Sequence, residues 1–153
     1  MTRIIAMAIL LAGSVASALL VRSFLIGSDL NGVTLLPLGV VSLDLHYTIN
    51  TGVNFGLAGA ATTSRQLLLS GLALVICAAI IIWGFRSSQR WAVTIAGLFA
   101  GGGLANAYER LAFGGVFDYL NVSTSFFNNP FSFNLADVYI FVGLVLYIFA
   151  PRQ

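Results

Sequence analysis

Charge is what this sequence has least of. Of its 153 residues only 8% are charged, while 59% are hydrophobic; a soluble domain carries roughly a quarter charged residues. So few ionic groups cannot cover a water-facing globule of this length, and the apolar surface left over must face lipid. Lysine is absent, so all seven basic residues are arginine. They are scattered, the net charge is only +2, and no basic run or basic–aromatic patch occurs, which excludes a nucleic-acid-binding surface. Cysteine occurs once, as Cys77 inside an apolar run. That excludes an internal disulfide and reads as a small packing residue. Histidine also occurs once; His46 has no second histidine or cysteine with which to hold a metal, and is expected to face solvent from a strand. No Ser–His or Cys–His pair and no HExxH motif can be assembled, so neither triad nor zinc-hydrolase chemistry is supplied. No cofactor or metal is expected.

What is present is four apolar runs: Ile4 to Val21, Leu67 to Trp83, Trp91 to Tyr108 and Leu135 to Ala150. Each is near the ~17–20 residues that cross a bilayer as a helix. Inside lipid every backbone polar group must be satisfied locally, so these runs predict helices. The first is longer than the apolar stretch of a cleavable signal peptide. The fold class is therefore an α-helical membrane protein with four transmembrane helices, and residues 1–153 read as a single domain. With four crossings, Arg3, Arg86, Arg90 and Arg152 fall on one side, which the positive-inside rule assigns to the cytoplasm. Arg22, Arg65 and Arg110 fall on the other side with all the acidic residues.

Two stretches on that outer side carry pattern. From Ser42 to Asn50 the chain alternates: Leu43, Leu45, Tyr47 and Ile49 project one way, Ser42, Asp44, His46, Thr48 and Asn50 the other. Pro37 and Gly39 before it and Gly52 after it suggest turns. A small extracytoplasmic β-sheet domain over approximately residues 23–64 is expected. The second stretch, Arg110 to Phe133, mixes aromatics with Asn, Ser and Pro, and is expected to be an interfacial amphipathic segment at the headgroups.

Several polar residues near the span ends need a purpose. Gly97 and Gly101 make a small-xxx-small pair for close helix approach. Asn106 and Arg110, four apart, share a helix face. Asn134 and Asp137 fit a helix N-cap with a carboxylate at its third position. Asp118 lies alone among apolar and aromatic neighbours, with no capping role. An Asp at mid-bilayer costs ~2.5–3.5 kcal/mol on insertion scales, so partners are expected for both aspartates. Two carboxylates at one membrane boundary suggest an aspartyl pair sharing a proton: one takes a proton from water, the other hydrogen-bonds the scissile carbonyl.

At these residues the chain resembles the lipoprotein signal peptidase (signal peptidase II) family. Four blocks carry the likeness. Asn50-Thr51-Gly52-Val53-Asn54-Phe55 is similar to the family's N-x-G-x-x-F. Gly102-Gly103-Leu104-Ala105-Asn106-Ala107-Tyr108-Glu109-Arg110 is similar to G-G-x-x-G-N-x-x-D-R. Gly115-Val116-Phe117-Asp118-Tyr119 is similar to G-x-V-x-D-[FY], and Phe133-Asn134-Leu135-Ala136-Asp137 to F-N-x-A-D. The resemblance implies an aspartic endopeptidase of the bacterial inner membrane that cuts prolipoproteins before a diacylglyceryl-bearing cysteine. It implies Asp118 and Asp137 as the catalytic pair, with Asn50, Gly52, Asn106, Glu109, Arg110 and Asn134 positioning substrate or bracing the site. It also implies termini in the cytoplasm, a site near the extracytoplasmic face, lipid and lipid-modified prolipoprotein as partners, and a monomer.

The chain departs from the family pattern at several positions. Glu109 replaces an Asp, Ala105 a Gly, and Val53 and Asn54 two small residues. In the first span Ala18 and Arg22 stand where the family has Asp and, four residues on, Lys. A rival reading is a non-catalytic binding or assembly protein on the same fold. A transporter would need polar residues at mid-membrane in several spans, and a presenilin-like protease its G-x-G-D pattern; neither feature is found.

Overall fold

The computed structural model describes residues 2–52, 63–124, 126–127 and 129–151. The apolar runs are helices: α1 (Thr2–Leu25), α2 (Thr63–Arg86), α3 (Ala92–Phe113) and α4 (Leu135–Phe149). Two of them, α1 and α2, are long and apolar enough to cross a membrane, each with 24 residues and a mean hydropathy of 2.6. Such a helix reaches about 36 Å, against a hydrocarbon core of ~30 Å. Their outward residues are large and apolar: Ile4, Ile9 and Phe24 on α1, Leu68, Val75 and Ile82 on α2. The shorter α4 shows the same character at Phe141, Ile148 and Phe149.

The hub is α3, against which α1, α2 and α4 all pack. Its small residues allow this. Gly97 lies against Leu10 and Gly101 against Ser14, both on α1, the close approach that their spacing predicts. Gly103 meets the Cys77 sulfur on α2, and Gly102 meets the main-chain carbonyl oxygen of Ala136 on α4. Cys77 is buried, the packing role expected of it. A methyl at Gly102 would collide with a carbonyl that cannot rotate away. Gly102→Ala is therefore expected to destabilise the bundle by about 1–3 kcal/mol, the usual cost of overpacking. Thermal unfolding in detergent checks this; an unchanged midpoint would contradict so tight an α3–α4 contact.

At one end of the bundle, Arg3 donates to the carbonyls of Gly84 and Ser87, each at 2.8 Å. This satisfies carbonyls at the end of α2 that lack helical partners. It also places Arg3 beside the end of α2, where Arg86 stands, and beside the turn that carries Arg90. Arg152 lies outside the described residues.

Strands β1 (Thr34–Leu38), β2 (Val41–Asn50), β3 (Val116–Thr124) and β4 (Ser132–Phe133) form one antiparallel sheet in that order. Two expectations are corrected here. The sheet is not confined to residues 23–64, because half of its strands come from the segment after α3. The part of that segment that forms β3 is accordingly sheet and not an interfacial amphipathic stretch. Val116, Phe117, Asp118 and Tyr119 are all buried, so both faces of this part of β3 are covered. Aromatic and β-branched residues suit such a setting. Gly114, at φ 74°, ends α3 and turns the chain directly into the strand. Beyond β3, Phe126, Phe127 and Phe131 are exposed.

The strict alternation of β2 is corrected as well. Leu45 pairs with Leu120 but Thr48 with Asp118, so a bulge inserts one extra residue into β2. A period-2 strand changes face with each single insertion. Leu43 and Leu45 therefore share a face with Thr48 and Asn50, and Asp44 lies on the opposite face. There Asp44 accepts hydrogen bonds from Thr34, Ser42 and Ser123. His46 is exposed, as expected.

Candidate active site

The bulge places Asn50 on the face that carries Asp118. Asn50 Nδ2 donates to Asp118 Oδ2 at 2.9 Å, while its own Oδ1 accepts from the Gly52 N–H at 2.9 Å. Gly52 has φ 101°, and a Cβ there would strike Leu69. The left-handed backbone calls for glycine, whereas the Leu69 contact involves only the movable end of that side chain.

Asn134 reaches the same carboxylate from α4. Its Nδ2 donates to Asp118 Oδ1 at 2.8 Å and to Asn106 Oδ1 at 3.1 Å. Asn106 Nδ2 in turn donates to Asp137 Oδ1 at 2.8 Å. The capping box expected at Asn134 is present: its Oδ1 accepts from the Asp137 N–H, and Asp137 Oδ2 accepts from the Asn134 N–H, both at 3.1 Å. A continuous run, Asn50–Asp118–Asn134–Asn106–Asp137, thus links the two aspartates through two amides. Asn134 at 2% exposure and Asp118 at 3% are almost wholly buried.

Burial pushes the Asp118 carboxyl up from its usual 3.8 to about 6. The Asp137 charge adds to the rise; the Asn50 and Asn134 amides and the Arg110 guanidinium oppose it. Because the folded-state value is raised, the stability Asp118 contributes is full below about pH 4 and lost as pH rises through about 6. Beside it, burial pushes the Tyr119 phenol up to about 12. This neutral phenol accepts from the Leu135 N–H at 3.0 Å and so holds the start of α4.

Glu109 braces the site from below. Its Oε2 accepts from Arg22 Nε at 3.1 Å and from the Phe117 N–H at 2.8 Å. The second bond fixes the residue immediately before Asp118. The longer carboxylate of Glu109 therefore pairs with Arg22 on α1, whose guanidinium also stacks 3.7 Å from the centre of the Phe113 ring. Arg110 donates to the Asn106 carbonyl at 3.4 Å. Ala18 is buried in one cluster with Ala105 and Ala136, so methyl groups fill the space between α1, α3 and α4. Val53, Asn54 and Phe55 lie outside the described residues.

Arg22 and Tyr119 join the site only through the tertiary structure; in the sequence Arg22 stands as no more than a departure from the family pattern.

A helical bundle with an apolar outer surface and a carboxylate–amide cluster at one end is the architecture of a membrane-embedded enzyme. Two solved structures, each described as a bacterial membrane enzyme determined by the in meso method, share this fold. One aligns with a TM-score of 0.75 and 19% identity over 94% of this chain and 90% of its own. The other aligns with a TM-score of 0.72 and 19% identity over 94% and 85%. More particularly, the chain belongs to the signal peptidase II family of aspartic peptidases, whose family model matches residues 4–151. A lipoprotein signal peptidase of Methylocella silvestris is 36% identical over 70% of this chain and 62% of its own length. One of Rhodopseudomonas palustris is 36% identical over 78% of this chain and 77% of its own. One of Aeromonas hydrophila is 32% identical over 79% and 77%.

Proposed function

We propose that this protein is an aspartic endopeptidase that removes signal peptides from diacylglyceryl-modified prolipoproteins, cutting before the lipidated cysteine. The carrying observation is the hydrogen-bonded run that joins Asp118 to Asp137 through Asn134 and Asn106 at the helix ends. Asp118, raised towards neutrality by burial, holds the proton and hydrogen-bonds the scissile carbonyl. Asp137 takes a proton from the attacking water, and the proton returns to the amine leaving group. The amides of Asn50, Asn106 and Asn134 fix both carboxylates so that little reorganisation is needed at the reaction step. Glu109, through the Phe117 N–H, holds the strand that carries Asp118.

All four helices span the bacterial inner membrane, with both termini cytoplasmic, and residues 1–153 act as one domain and a monomer. The length of α4 supports a site close to lipid: its 15 residues rise about 22 Å, less than the ~30 Å hydrocarbon core. Asp137 in its first turn then lies near the depth at which an acylated cysteine is anchored. The exposed Phe126, Phe127 and Phe131 suit the headgroup region. The rival reading, a non-catalytic assembly protein, draws no support from the family match.

The test is cleavage by the reconstituted protein of a prolipoprotein with and without its diacylglyceryl group, followed by gel shift. Loss of the signal peptide from the modified form alone is expected. Folded protein that leaves both forms intact, beside a working control peptidase, would sink the reading. The role given to Asp118 makes a separate prediction. In the free enzyme kcat/KM should fall as pH rises through about 6. A rise through the same pH would make Asp118 the base instead.

A further inference from the structure

At the end of the bundle away from the carboxylates, an open cavity of about 400 Å³ lies between the starts of α1 and α3 and the turn that joins α2 to α3. Thr2, Arg3, Ala6, Ser88, Arg90 and Val93 are among the residues that line it, and both arginines are exposed. Arg3 is held in place. Its Nη2 donates to the Gly84 and Ser87 carbonyls, which leaves the hydrogens on Nε and Nη1 without a partner among the described residues. Arg90, 5.6 Å from the centre of the Trp91 ring, makes no hydrogen bond or ion pair among the described residues. No acidic side chain balances the two. Neither α1 nor α3 has one in its first turn, and all five acidic residues, Asp29, Asp44, Glu109, Asp118 and Asp137, belong to the opposite end. Two cations at one cavity repel each other, and an anion seated between them turns that repulsion into attraction. The hydroxyls of Thr2 and Ser88 supply further donors for it.

The depth of the cavity says which anion fits. Thr2 starts α1 and Arg86 ends α2, the two helices long and apolar enough to cross a membrane, and the Arg3 bonds join these two ends. The cavity therefore lies where headgroups meet hydrocarbon. Its wall also includes the apolar Ala6 and Val93, and Ile4 and Ile5, the outward residues of α1 nearest this end, are large and exposed. A phosphodiester with acyl chains matches both parts: the guanidinium forks take its oxygens, and the chains run along α1. A signal peptide does not match, because the end it leaves at this depth is basic. We propose that Arg3 and Arg90 form a site for the phosphate headgroup of an anionic phospholipid, seated across the starts of α1 and α3. A zwitterionic lipid brings its own ammonium towards the same arginines and is disfavoured. The inference goes beyond the peptidase reading; it rests on α1 and α2 crossing the membrane and not on catalysis.

The test is lipid binding by the full chain in nonionic detergent, with bound lipid counted by native mass spectrometry. Phosphatidylglycerol and phosphatidylcholine are titrated separately, and inorganic phosphate is then added as a competitor. An arginine beside an anionic lipid contributes roughly fivefold in affinity, so phosphatidylglycerol should bind about 25-fold more tightly than phosphatidylcholine. Arg90→Gln should weaken phosphatidylglycerol by roughly fivefold and leave phosphatidylcholine as it was. Arg86→Gln removes a charge at the same end but outside the cavity, and should leave both affinities unchanged. Equal affinity of the wild type for the two lipids would overturn the proposal, a result that needs no variant to fold. An equal loss in Arg86→Gln and Arg90→Gln would do the same, since it would reduce the site to diffuse surface charge. Displacement of phosphatidylglycerol by millimolar phosphate would show a free-anion site and overturn the lipid assignment. Protein that stays in solution without detergent would remove the spanning helices, and this inference with them, whatever the outcome of the cleavage assay.

Discussion

Asp118→Asn is expected to lower kcat by about 10²–10⁴-fold, and Asp137→Asn by a similar factor, the usual contribution of a positioned acid or base. The two residues act on one water and one carbonyl, so the double variant should be little slower than either single one. The substitutions are not wholly silent in the fold. Both oxygens of Asp118 accept from amide nitrogens, Asn50 on one side and Asn134 on the other. An asparagine there sets an NH2 against one of those donors and loses a hydrogen bond. Asp137 has the same difficulty, since one oxygen accepts from Asn106 and the other closes the capping box. Activity should therefore be read beside thermal unfolding, in single-turnover assays with saturating lipidated substrate. Large losses of kcat with unfolding midpoints near the wild type would support the pair as the chemical centre. Full cleavage by both variants would place the chemistry elsewhere.

Glu109→Leu should have the largest effect on stability. The Glu109 and Arg22 side chains are only 4% and 11% exposed. Removing one partner of a buried pair leaves a charge without compensation and costs about 3–5 kcal/mol. It also releases the Phe117 N–H, so cleavage should fall even in the fraction that stays folded. The double variant Arg22→Met, Glu109→Leu should recover most of the stability, because replacing a buried pair by apolar side chains is often neutral. It should not recover the activity, since nothing then holds the residue before Asp118. Unfolding and turnover of the two single variants and the double variant check this. Additive losses of stability would mean that the pair does not interact as its geometry implies. Glu109→Asp should lie between, its shorter side chain reaching Arg22 or the Phe117 N–H but not both.

Some of the site was legible in the chain because its signals are local. Asn134 and Asp137 are three apart at the edge of an apolar run, and a capping box needs only that spacing and a helix to start. Gly97 and Gly101 announced a close helix contact for the same reason, a repeat of four on one face. Spacing put Asn106 and Arg110 on one helix face, but only the family blocks joined Asn50 to them.

By itself, the sequence determined a chain too apolar for water, four helical runs with their approximate ends, and an isolated buried carboxylate that demanded partners. Hydropathy, helical period and capping act over a few residues and need no knowledge of the rest of the chain. Tertiary structure alone decided who those partners are. Asn50 and Asp118 are 68 residues apart, and Arg22 and Glu109 are 87 apart. Such pairs are made by strand register and helix packing, not by local propensity. The bulge in β2 is the sharpest case. Nothing in Leu45-His46-Tyr47-Thr48 marks an extra residue, and unbroken alternation would turn Asn50 to the face that bears Asp44. One inserted residue, whose neighbour Tyr47 donates its N–H to Asn31 Oδ1, turns it to Asp118 instead.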